Sequence, residues 1–135
     1  MRLRRDAVME DKKYFTVEEA NRLIPQIKAL VEELRLGRRR LLNHRPTAEA
    51  MAHKAGGNGG GSDAAAYLAD YSRSFRGVLA QLQDRGVVLK DIERGLIDLP
   101  HRRGDREVYL CWEYGEERIG YWHETDSGYS GRQPL

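Results

Sequence analysis

From Val17 onward, the apolar residues Val17, Ala20, Ile24, Ile27, Val31 and Leu34 recur at spacings of three, four, three, four and three. Only a helix carries such a stripe on one side, and only a helix with a partner can bury it. The start is marked by Thr16 and Glu19. This is a capping box, in which the hydroxyl accepts from the Glu19 amide and the carboxylate reaches back to the Thr16 amide. Tyr14 and Phe15 stand ready to pack on the first turn. Leu41 resumes the seam after Arg38 interrupts it, and Leu23 and Leu30 widen it. The pattern predicts a helix within residues 16–45, with about 28 residues in helical turns and a length of roughly 42 Å. Pro25 lies inside it, removes the hydrogen bond to the Asn21 carbonyl and bends the axis. Pro46 disfavours helical geometry at Arg45, and Arg38, Arg39, Arg40 and Arg45 suit the negative end of the helix dipole.

Residues 46–62 change composition, with five glycines among residues 56–61. They read as a flexible tether. No Gly-Lys-Ser/Thr ending follows and no strand precedes, so a phosphate-binding loop is excluded. Ser62 or Asp63 can cap a second helix over residues 63–85. Its stripe runs Ala64, Leu68, Tyr71, Phe75, Val78 and Leu82, and Gly86 stops it. Two striped helices joined by a tether predict a long antiparallel hairpin.

The last third has the short period of strands. LIDLP, EVYLCWEY and IGYWHET alternate with the turn signals HRRGDR and GEER, which predicts a small three-stranded antiparallel meander over residues 96–124. Residues 125–135 read as a loop-like tail. The expected architecture is α+β in one domain spanning residues 1–135: the hairpin, then the sheet.

Residues 1–45 carry twelve Lys/Arg against seven Asp/Glu, and residues 86–135 carry seven against ten. A basic first third and an acidic last third suit head-to-tail association as well as an anionic partner. One cysteine excludes an internal disulfide framework and fits a reducing compartment. No apolar run reaches the roughly 20 residues needed to span a bilayer. The first residues lack the apolar stretch of a signal peptide. A cytoplasmic protein without a membrane anchor is expected, and the sequence names no particular cofactor.

The segments YFTVEEANRLIP, GVVLKDIERGLIDLP and REVYLCWEYGEERIGYWHETDSGYSGRQPL resemble an uncharacterised bacterial family, the domain of unknown function numbered 2203. The resemblance covers both ends of the chain and brings no activity to transfer. It implies that residues 86–135 are the characteristic part and the tether the dispensable one.

Within residues 106–124 lie the only cysteine, Cys111, together with Trp112, Trp122 and His123. If Tyr114 pairs with Ile119 across GEER, one face carries Val108, Leu110, Trp112, Tyr114, Ile119, Tyr121 and His123. The other carries Glu107, Tyr109, Cys111, Glu113, Trp122 and Glu124, with Asp98 as neighbour. Cys111 and His123 then point apart. A slip of one residue in the turn brings them together, and sequence does not fix the turn type. The candidate ligand-binding residues are accordingly Asp98, Cys111, Trp122, His123, Glu124 and Arg132. Arg132 is the expected anchor for an anionic ligand, or a partner of Glu124 or Asp126. For a metal the candidates are His123 and Glu124, with Asp98, His101, Cys111 or Glu113 to complete the set. No HExxH or CxxC spacing accompanies them. The competing reading makes Cys111 a small buried hydrophobe and the aromatics sheet packing.

Two functions follow. One is a non-enzymatic interaction module that dimerises through the hairpin: Leu23, Leu30 and Leu41, with Tyr67 and Leu79, are more apolar surface than a two-helix contact and three strands cover. The other is a small-molecule or metal-dependent enzyme centred on the sheet. Arg35, Arg38, Arg39, Arg40 and Arg45 point in different directions on a helix without stacking aromatics, which speaks against nucleic acid.

Overall fold

A computed structural model describes residues 12–43 and 62–135 of the chain. Helix α1 spans Val17–Asn43 and helix α2 spans Ser62–Asp84. The strands are β1 Val88–Asp91, β2 Leu96–Arg103, β3 Arg106–Glu113, β4 Tyr121–Glu124 and β5 Gln133–Pro134, with a 3-10 turn at Tyr129–Gly131 before β5. The architecture is α+β, as expected. The expected tether and the Arg45 end of helix one lie outside the described residues.

The capping box forms in both directions: the Thr16 amide donates to Glu19 Oε1 at 2.9 Å and the Glu19 amide to Thr16 Oγ1 at 3.0 Å. Helix α1 continues through Pro25, which faces solvent. Its stripe is buried as read, with Ala20, Ile24, Ile27, Val31 and Leu34 facing inward. Helix α2 ends in a Schellman arrangement, the Val87 amide donating to the Leu82 carbonyl and the Gly86 amide to that of Gln83, both at 2.9 Å. The helices run antiparallel. Tyr71 lies against Gly37, Ser74 bonds Glu33 and Arg85 bonds Gln26, so one helix ascends as the other descends.

The sheet corrects the expectation of three strands: it has five, in the order β1-β2-β3-β4-β5, all antiparallel. Strand β1 is four residues long with an irregularity between Leu89 and Asp91, too short and uneven to show a period. Strand β5 comes from the tail. It pairs Gln133 with Trp122 and Pro134 with Tyr121, and the Leu135 amide donates to the Gly120 carbonyl at 2.9 Å.

The β3–β4 register is also corrected. Leu110 opposes Trp122, Tyr109 opposes His123 and Cys111 opposes Tyr121, one residue away from the pairing that a tight turn at GEER implies. Residues 114–120 form a wider loop wrapped on Trp112, whose indole N–H donates to the Glu116 carbonyl at 3.0 Å. Because strand side chains alternate, the slip exchanges the faces of β4. Trp122 turns inward with Ile97, Leu99, Val108, Leu110 and Trp112, joining the inward helix residues, Val78 and Leu82 in one core cluster. Tyr121 and His123 turn outward. The larger, more apolar indole takes the place against the helices, which favours this register, while the imidazole is buried on the other face. Leu23 and Leu30, expected to be surplus, pack against the core.

Candidate functional site

On the outer face of the sheet, Asp98 of β2 lies directly opposite Cys111 of β3, and His123 of β4 sits one diagonal step from Cys111. All three are buried, at 1%, 0% and 2% exposure. Their ligand atoms, a carboxylate oxygen, Sγ and an imidazole nitrogen, lie within 4.8 Å of one another. The slipped register thus brings together the cysteine and histidine that the expected register separated.

His123 is held at both nitrogens. Nδ1 is 2.7 Å from the Glu124 backbone oxygen, which also accepts from the Ser127 amide and hydroxyl, both at 3.2 Å. A carbonyl only accepts, so the proton sits on Nδ1. Nε2 is 3.0 Å from Asp98 Oδ2. The second carboxylate oxygen, Asp98 Oδ1, is buried without a hydrogen-bond partner among the described residues. Burial, reinforced by the Asp98 carboxylate, pushes the Cys111 thiol up to about 12. A thiol so protonated and so enclosed is not a nucleophile at neutral pH.

The C-terminal segment lies over this face. Arg132 Nη2 bonds Glu116 at 2.7 Å and the Cys111 carbonyl at 3.3 Å. Its guanidinium stacks at 4.1 Å from the Tyr121 ring centre and 4.8 Å from that of Tyr129. Arg94 stacks on Tyr129 at 3.8 Å and pairs with Glu113 at 2.8 Å. Arg132 is therefore placed near the cysteine, but its partner is Glu116 and not Glu124 or Asp126. Nη2 is thus committed within the chain, whereas Nε is buried without a hydrogen-bond partner among the described residues.

The other sequence candidates fall elsewhere. Trp122 belongs to the core, with Arg103 stacked on it at 4.2 Å. The Glu124 carboxylate pairs with Arg106. As the partner of Val108, Glu124 stands on the opposite face from Cys111, so only its backbone carbonyl serves the cluster. His101 Nδ1 contacts the Phe15 carbonyl at 2.6 Å. Glu113 is taken by Arg94 and by the Tyr129 hydroxyl. Tyr109, whose ring centre lies 5.6 Å from that of His123, and Glu116 were not among the candidates. Tyr109 follows from period-two alternation with Cys111. Glu116 has no sequence signal, since loop geometry alone brings it to Arg132.

A second surface lies on the helical hairpin. Leu36, Tyr67, Tyr71 and Val78 line a groove of about 640 Å³ together with Glu33, Asp70, Arg40 and Arg73. Leu36 is 56% exposed, and Leu42 and Leu68 are also exposed.

Residues 13–135 match the model of a family described as an uncharacterized conserved protein, DUF2203. No curated protein and no solved structure matches the chain.

Proposed function

Because this chain belongs to the uncharacterised family DUF2203, its function must be read from its own surfaces, and we propose a non-enzymatic interaction module that pairs with a second copy of itself through the helical hairpin. The observation that carries this reading is the groove beside α2. Apolar Leu36, Tyr67 and Tyr71 sit there beside two acidic residues, Glu33 and Asp70, and two basic ones, Arg40 and Arg73. A two-fold interface brings one patch onto its own copy, so the patch must hold both signs of charge and an apolar centre. A partner of strongly acidic or basic character would instead call for one sign. Asp70 and Arg73, exposed and paired with each other at 3.1 Å along α2, would add register more than energy to such a contact.

The apolar surface that supports pairing is only in part the one that periodicity suggests, with Tyr67 common to both. Leu23 and Leu30 are spent on the core, and the exposed residue of choice is Leu36. The protected thiol is consistent with a protein that does not work through nucleophilic catalysis. Arg35 stacks on Tyr114 and Arg38 pairs with Glu93, which takes both out of a phosphate-binding stripe and speaks against nucleic acid as the partner. No helix of the described residues is long and apolar enough to cross a membrane. A lone cysteine suits a reducing compartment, which supports a cytoplasmic location.

Light scattering at micromolar concentration tests the pairing. A mass of about twice the chain's 15.5 kDa is expected. Leu36→Glu should give the monomer mass with an unchanged circular dichroism spectrum, while Leu30→Glu should disrupt the fold. A wild-type monomer, or a Leu36→Glu variant that stays dimeric, refutes the reading.

A further inference from the structure

The outer-face cluster stands apart from the hairpin surface and carries a different chemistry. We infer that Asp98, Cys111 and His123 are the protein ligands of one divalent transition-metal ion of the zinc class. Four features converge on it.

The first is the donor set. One thiolate, one imidazole and one carboxylate are the ligand types that zinc and cobalt take at tetrahedral sites. Their ligand atoms lie within 4.8 Å of one another on adjacent strands of a sheet, where the backbone fixes their spacing.

The second is the orientation of His123. Its Nδ1–H donates to the Glu124 backbone oxygen at 2.7 Å. That bond fixes the tautomer and turns the Nε2 lone pair into the cluster, which is the outer-shell arrangement found behind metal-bound histidines.

The third is what Nε2 faces. It points at Asp98 Oδ2 from 3.0 Å. Two acceptors at that distance repel unless a positive charge lies between them, either a proton or a metal ion.

The fourth is the second oxygen of the carboxylate. Asp98 is 1% exposed, and its Oδ1 has no hydrogen-bond partner among the described residues. A buried carboxylate oxygen left without a donor is costly. An ion at the centre of the cluster satisfies it, whereas a single proton shared with Nε2 leaves it only the weak S–H donor of Cys111.

The charges close as well. Without metal, one proton held between Nε2 and Asp98 Oδ2 leaves the three side chains without net charge. A divalent ion displaces the Nε2 proton and the thiol proton to solvent, and its two charges are matched by carboxylate and thiolate. The enclosed face carries no net charge in either state, and Arg132 is already balanced by Glu116. Three protein ligands leave a fourth position for water or a small ligand, as in zinc sites that are not closed by four side chains.

The test uses the full chain, stripped with a chelator and titrated with Co²⁺. One cobalt per chain is expected, with intense sulfur-to-cobalt charge-transfer absorption that Zn²⁺ abolishes. Cys111→Ser should keep its circular dichroism spectrum and lose the sulfur band. Asp98→Asn should weaken binding by more than about tenfold, a scale that even an outer-shell partner commands. If Asp98→Asn does not fold, melting decides: Zn²⁺ should raise the wild-type midpoint and leave that of Cys111→Ser unmoved. Absence of cobalt binding, a cobalt spectrum without the sulfur band, or equal zinc shifts in wild type and Cys111→Ser would overturn the assignment. The Leu36→Glu monomer should bind Co²⁺ as the wild type does, so the two proposals stand or fall separately.

Discussion

Replacing Gly95 by alanine offers a sharp test of how the hairpin is joined to the sheet. Gly95 has φ +64° in the turn before β2. A Cβ there would stand 2.5 Å from the Tyr114 Cβ and 2.9 Å from Val31 Cγ1. Neither neighbour can yield easily. Tyr114 is fixed by its amide N–H, which donates to the Gly95 carbonyl at 2.9 Å, by its hydroxyl, which donates to Glu32 at 2.9 Å, and by Arg35 stacked 4.2 Å away. Val31 is 1% exposed in the core. The left-handed backbone costs an L-residue about 1–2 kcal/mol. Forcing a methyl into packed surroundings costs about 1–3 kcal/mol more. Gly95→Ala should therefore lose about 3 kcal/mol, a large share of the roughly 5–15 kcal/mol that holds a domain together. Gly104 is the internal control, with φ +62° and nothing within 4 Å of an added Cβ. Gly104→Ala should show the backbone cost alone, about 1 kcal/mol. Urea unfolding of both variants, followed by circular dichroism, gives the comparison. Equal losses would refute the close approach of Tyr114 and Val31 to the turn.

Further outcomes are expected at Thr16 and Cys111. Thr16→Ala should cost about 1 kcal/mol, since the cap satisfies otherwise unpaired amides at the start of α1, and a loss near zero in a urea titration would count against the cap. The Cys111 thiol should resist a thiol reagent at neutral pH until the chain unfolds, and Cys111→Ala should cost about 1 kcal/mol of packing. Its pH dependence has a definite sign. The thiol is raised from 9.0 to about 12 on folding, so between those values the unfolded chain binds fewer protons than the folded one. Stability then falls as pH rises. With a chelator present, the advantage of wild type over Cys111→Ala should hold below pH 9 and shrink above it. An advantage that does not change with pH would mean that the thiol is not enclosed.

The helices were legible in the chain because their signals are local. A stripe at 3.6-residue period, Thr16 with Glu19 at its start and Gly86 at the end of the second helix need no distant partner to be read. The β2–β3 hairpin was legible too, since apolar Val108, Leu110 and Trp112 alternate with less apolar neighbours. What only the tertiary structure decided was the pairing beyond it. Tyr121, Trp122 and His123 place an aromatic or imidazole side chain on both parities, so alternation alone does not say which one faces the core. The loop around Trp112 and the volume of the Trp122 indole make that choice. Strand β5, two residues long, exists only because Trp122 and Gly120 present open backbone groups to it. The candidate site inherits this dependence. Asp98, Cys111 and His123 are separated by more than ten residues each along the chain, and a one-residue shift of β4 would send His123 to the opposite face. Sequence periodicity sets which elements form. The cluster is set by register, a long-range choice made by packing.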